Sequence, residues 1–155
     1  MINTAVMAFG EETTAKVAAM IASKLNADLI VNEKMLDGAT VVVAGTHVRM
    51  GKFNKRYIRF VKKYAAKVRI YTFIVGAEIE KKQKYVDLAE KDSGGKAWYV
   101  WGELNANKAK GLKKFALQAF IDGRRQDGLP TPRLLDKEIA ALCREVMLEN
   151  QITEK

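Results

Sequence analysis

The chain has 155 residues, 48% of them hydrophobic and 29% charged, which suits one domain with one core. No run is long and apolar enough to span a bilayer, and MINTAVMAFGEE lacks the basic lead and long apolar segment of a secretory signal. The formal charge of +9 is compatible with an acidic protein partner or an anionic membrane surface; no aromatic-basic interleaving resembles a nucleic-acid module, so nucleic acid is not expected.

Residues 2–9 read as a first strand, broken by Gly10-Glu11-Glu12. Thr13 offers a hydroxyl N-cap. Thr14, Val17, Ala18, Ile21, Ala22 and Leu25 repeat at helical spacing, predicting a helix over 14–26. A short strand follows at 28–31 and a polar turn at 32–38. Residues 40–44 hold Val41, Val42 and Val43 without polar alternation, which suits a strand covered on both faces, as in a parallel sheet. Gly45 ends it, and Thr46-His47-Val48-Arg49-Met50-Gly51 reads as a polar loop. A helix then carries Phe53, Tyr57, Phe60, Val61, Tyr64, Ala65 and Val68 on one stripe, with Lys55, Arg56, Arg59, Lys62, Lys63 and Lys67 between them.

Residues 69–75 (RIYTFIV) are a β-branched and aromatic strand ended by Gly76-Ala77. A weakly amphipathic helix is expected over 78–91 and a turn at 93–95. Residues 97–101 (AWYVW) form the last strong strand, with Trp98 and Trp101 as core residues and Gly102 at its end. A helix over 109–121 carries Leu117 and Ile121 beside Lys110, Lys113 and Lys114, leaving apolar surface exposed. Residues 122–132 read as a loop and 134–148 as a closing helix, with fraying expected from residue 149. Cys143 lies on that helix's apolar stripe as a packed residue; a single cysteine excludes an internal disulfide and fits a reducing, cytoplasmic setting. Residues 1–150 are taken as one domain and 151–155 as a tail.

Strands alternating with helices imply parallel β-α units with right-handed crossovers. Five strands in this length favour an α/β flavodoxin-like three-layer sandwich, a five-stranded parallel sheet in the order 2-1-3-4-5. In such sheets ligands sit where loops leave the carboxyl ends of strands. The dinucleotide fingerprint G-x-G-x-x-G and the Walker pattern are both absent. A phosphoacceptor receiver needs an acidic pair after the first strand and an Asp closing the third, which here ends Gly45-Thr46. A flavin mononucleotide (FMN) site remains. Its phosphate would sit at the first turn and helix start, on Gly10, Thr13 and Thr14. Its ring would lie on Thr46, His47, Val48, Arg49, Met50, Gly51, Gly76 and Ala77, with Arg49 or Lys52 near the anionic reduced flavin. The plainer readings are a helix cap for Thr13, a loop histidine for His47 and a surface charge for Arg49. Glu11 and Glu12 repel a dianion unless they point away or Lys16 offsets them.

Residues 41–68 resemble the strand, loop and helix of the menaquinone-dependent protoporphyrinogen oxidase group in the flavodoxin-domain superfamily. The R-x-G-x-[FY] element falls on Arg49, Gly51 and Phe53, and F-V-K-K on Phe60, Val61, Lys62 and Lys63. The first helix, from Thr14 to Leu25, is similar too. The likeness covers about two-thirds of the chain and fades after Gly102. It implies an FMN-binding redox protein that exchanges electrons with a redox protein partner or a quinone-type acceptor, cytoplasmic with peripheral contact to an anionic membrane. The usual phosphate loop of that superfamily, [ST]-x-[ST]-G-x-[ST], is not reproduced: only Thr14 holds its last hydroxyl position, with Thr13 before it. The alternatives are a flavin-free interaction module, supported by Glu11 and Glu12, and a membrane enzyme acting on a quinone or porphyrin through Leu117 and Ile121.

Overall fold

A computed structural model describes residues 3–10, 12–101, 111–128 and 136–150. The strands are β1 (Thr4–Phe9), β2 (Asp28–Ile30), β3 (Val41–Arg49), β4 (Lys52–Phe53), β5 (Arg69–Gly76) and β6 (Ala97–Trp101). The helices are α1 (Glu12–Leu25), α2 (Lys55–Tyr64), α3 (Lys82–Ser93), α4 (Gly111–Gln126) and α5 (Asp136–Asn150), with 3-10 turns at Glu33–Leu36 and Ile79–Lys81.

Five strands pair in parallel in the order β2-β1-β3-β5-β6, and β4 adds antiparallel to β3. Counting the parallel strands alone, this is the order 2-1-3-4-5, so the fold is the flavodoxin-like sandwich. The valine run explains the layering. Side chains alternate across a strand, and here both faces are apolar. Val42 and Ala44 join Tyr57, Phe60 and Val61 of α2 and Tyr85 and Ala89 of α3 on one face. Val41 and Val43 join Val17 and Ile21 of α1 and Ile139, Leu142 and Val146 of α5 on the other. Each such buried aliphatic chain contributes roughly 1.5–3 kcal/mol relative to exposure. Cys143 is buried in the second layer, as its stripe position implies. Among the described residues, no helix is long and apolar enough to cross a membrane.

The largest difference from the sequence reading is at 45–53. Residues 46–49 are not a loop. β3 runs on to Arg49, placing Thr46 beside Phe9 of β1 and His47 beside Val75 of β5. Val48 and Arg49 then pair with Phe53 and Lys52 of β4. The turn is Met50-Gly51, with φ of 53° and 74°. Positive φ at both central residues is the I′-type hairpin pattern that follows the right-handed twist of the strands. Met50 is an uncommon occupant of that region. α2 therefore starts at Lys55, and the Asn54 side chain accepts from the Arg56 amide at 2.8 Å. Phe53 belongs to β4, its ring edge-on to Tyr57, while Ala65 and Val68 lie beyond the helix end.

Other boundaries shift as well. α1 begins at Glu12, so Thr13 lies within the first turn and is not the N-cap. Residues 122–126 continue α4 and are not loop. Glu149 and Asn150 belong to α5, and Asn150 is buried rather than frayed. The expected tail at 151–155, the loop at 129–132, Gly102, Lys110 and Glu11 lie outside the described residues, as do the side chains of Glu12, Lys113, Lys114 and Leu117. Ile121 is half-buried.

Candidate functional site

The register brings the carboxyl ends of β1, β3, β5 and β6 to one rim: Phe9 pairs with Thr46, His47 with Val75, and Gly76 with Trp101. Most of the residues assigned to a cofactor from sequence do converge here, though their polar groups face one another.

Gly10 links β1 to the start of α1. A Cβ at that position would stand 2.6 Å from Thr14 Oγ1 and 2.7 Å from His47 Nδ1. Both distances are shorter than a real Cβ tolerates, so the close approach requires glycine. Thr14 is only 1% exposed, and His47 Nδ1 is closed to solvent. A hydroxyl and an imidazole thus fill the space against the first turn. Thr13, half-buried beside them, is one residue into α1.

Thr46 is fully buried and serves the hairpin. Its hydroxyl donates to the His47 carbonyl at 3.1 Å and accepts from the Asn54 amide at 3.0 Å, which joins β3 to the cap of α2. Val48 packs against the α2–α3 core. Arg49 is exposed at the strand end, and Met50, 94% exposed, forms the hairpin tip with Gly51.

The loop after β5 is held by aromatic donors from β6. Trp101 Nε1 donates to the Ala77 carbonyl at 2.9 Å, and the Tyr99 hydroxyl donates to the Glu78 carbonyl at 2.9 Å. Burial pushes the Tyr99 phenol well above the usual tyrosine range, outweighing the opposing bond to Glu78, so the hydroxyl stays protonated as a donor. Gly76 is necessary here too, because a Cβ would collide with the Tyr99 hydroxyl and ring. One turn further, Arg124 of α4 grips Glu80 through both guanidinium amines, at 2.8 and 3.2 Å. That contact lowers the Glu80 pKa. Tyr99, Glu80 and Arg124 escaped the sequence reading, which has Trp101 as a core residue without its bond to Ala77. Alternation places aromatics in a strand, but does not reveal which hydroxyl reaches back to a neighbouring loop.

FMN needs an open seat for its phosphate beside the first turn, and unengaged backbone groups for its ring on the loops after β3 and β5. The space that a side chain at position 10 would enter is taken by Thr14 and His47. The stretch after β3 is a paired hairpin, and the carbonyls of Ala77 and Glu78 already have donors. Among the described residues, crowding at the first turn and engaged carbonyls after β5 weigh against the group.

No protein-family model and no curated protein matches the chain. Among solved structures it is similar to a candidate flavoprotein from Bacteroides eggerthii, at 14% identity and TM-score 0.49, over 78% of this chain and 96% of that one. It is also similar to a response regulator from Burkholderia multivorans, at 12% identity and TM-score 0.38, over 86% of this chain and 100% of that one. Likeness at this level carries no functional argument, and the sheet order itself is what establishes the fold.

Proposed function

We propose that the chain is a flavin-free interaction module built on a flavodoxin-like fold. One observation supports this reading: the Thr14 hydroxyl and the His47 ring crowd Gly10 at the start of α1, the turn to which the sequence pattern assigns the phosphate. Function resides in sites rather than folds, and at this rim Thr14 and Thr46 are buried while Gly10, His47 and Ala77 are half-buried. The aromatic clamp on Ala77 and Glu78 supports the same reading from the ring side.

An FMN-dependent redox protein is the second reading. It is favoured by the chemistry of the same cluster, since a glycine turn, a hydroxyl and an imidazole meet at the start of α1. The two separate on purified protein. The flavin-free module is colourless and retains no FMN or riboflavin in equilibrium dialysis. Stoichiometric FMN uptake overturns it, and Thr14→Ala should then weaken FMN more than riboflavin, because only FMN carries the phosphate.

A further inference from the structure

One structural unit carries a net charge equal to that of the whole chain. Residues 38–77 contain nine Lys and Arg and no Asp or Glu. The remaining 18 Lys and Arg equal in number the 18 Asp and Glu elsewhere, so the rest of the chain sums to zero and this stretch alone carries +9 with no acidic residue. It comprises β3, the β3–β4 hairpin, α2 and β5.

At its amino end α2 carries charge against its own interest, while Lys62 and Lys63 in the last turn suit the dipole. Its first turn holds Lys55 and Arg56 and no acidic residue, although the amino end of a helix is already the positive pole of its dipole. Arg59 follows Lys55 by four residues and Arg56 by three, and Lys62 and Lys63 repeat the spacing from Arg59. Like charges at these spacings repel on a helix surface. Lys63 is relieved by Glu33 at 3.2 Å. Lys55, Arg56, Arg59 and Lys62 are exposed and have no ion-pair partner among the described residues. The fold does not require them there: Tyr57, Phe60 and Val61 bury the opposite side, and Asn54 caps the end. Local conflict without structural return is expected where a surface serves a partner.

The same face has a recess. Lys55 and Arg59 flank the half-buried Ile58 around a shallow depression of about 380 Å³. Resting on the interaction-module reading, we infer that this face docks an acidic protein segment, whose carboxylates meet Lys55, Arg56, Arg59 and Lys62 while one apolar side chain seats on Ile58. A single-stranded nucleic acid fits less well. The aromatic rings of this unit, Phe53, Tyr57 and Phe60, are buried, and Tyr64 lies under Lys63 and Lys67, so no base finds a stacking platform there. A bilayer also fits less well, because Ile58, the apolar side chain lining the depression, is half-buried and does not offer the broad apolar face that inserts into lipid.

The test uses the full chain and defined probes: a synthetic peptide mixing Glu and Leu, an all-Glu peptide of equal length, a short DNA duplex, and vesicles of phosphatidylcholine with phosphatidylglycerol. The Glu/Leu peptide should bind tightest, and added salt should weaken it. Arg56→Gln with Arg59→Gln should weaken both peptides about tenfold or more, while thermal stability of the free protein holds or rises as repulsion is relieved. Ile58→Ser should weaken the Glu/Leu peptide and leave the all-Glu peptide unchanged. Tighter binding of the duplex or the vesicles overturns the inference, as do peptides that bind the double variant like the parent chain. Failure to bind peptide in a colourless preparation sinks this inference alone. FMN uptake by a preparation that still binds peptide sinks the flavin-free reading alone.

Discussion

The hydroxyls of Tyr57 and Thr72 meet at 2.8 Å beneath α2, and both side chains are fully buried. The bond joins the basic helix to β5, so the surface that carries the charge is fixed to the centre of the sheet. Tyr57→Phe leaves the Thr72 hydroxyl buried without this partner. An unsatisfied buried group costs about 1–3 kcal/mol. Urea unfolding should show that loss as a lower midpoint with an unchanged slope. A midpoint equal to that of the parent chain refutes the assignment.

The same tyrosine predicts an alkaline transition. Burial raises its pKa from 10.0 to about 12, with the Thr72 bond opposing and Asp92 adding to the rise. The folded state thus holds the proton more tightly than the unfolded chain. Its contribution is complete below pH 10 and is lost as pH climbs toward about 12. Two pKa units correspond to roughly 2–3 kcal/mol. Stability measured through this window should fall less steeply in Tyr57→Phe than in the parent. Parallel curves for the two proteins would exclude Tyr57 as the titrating group.

Gly45 sits beside Phe73 in the β3–β5 ladder, and a Cβ there would lie inside the van der Waals envelope of the phenyl ring. Gly45→Ala should destabilise by about 1–3 kcal/mol or more, because the ring is fully buried and has little room to move. Phe73→Leu frees space and should recover part of the loss, so the double substitution costs less than the two single ones together. Additive losses in chemical denaturation would mean that the ring is not what meets the new methyl group.

These contacts also show which parts of the chain were readable. Val41, Val42 and Val43 announced a strand covered on both faces, and the spacing of Tyr57, Phe60 and Val61 announced the buried side of α2. Apolar periodicity reports burial, and burial is what organises the sheet order. The hairpin was missed because Thr46, His47 and Arg49 look polar, although Thr-His-Val-Arg alternates as a strand does and Met50-Gly51 takes an I′-type turn without the usual Asn or Asp. The sequence pattern places Asn150 at a fraying end. It is held instead by Tyr71, Arg69 and the Val146 carbonyl, partners that are distant in sequence or shared with the backbone. The candidate site was legible as a place, the rim, but not as a state. Whether polar residues leave a seat open or close it depends on distances between loops, which no local pattern encodes.

The clamp on the loop after β5 is the sharpest test of a closed rim. Tyr99 and Trp101 lie on the same face of β6, two residues apart, and donate to the consecutive carbonyls of Glu78 and Ala77. Tyr99→Phe keeps the ring that packs beside Tyr85 and removes only the donor. The Glu78 carbonyl then loses its anchor while the core stays filled. Loss of one such bond costs about 1 kcal/mol, enough to raise local opening several-fold. Amide exchange at 77–81 should quicken by that factor, while exchange in β3 and β5 holds. Trp101→Phe should act in the same direction through Ala77, and the double variant should open the loop further than either alone. Unchanged exchange at 77–81 in all three variants would show that the loop is held by other contacts, and would remove the ring-side support for a rim closed to flavin.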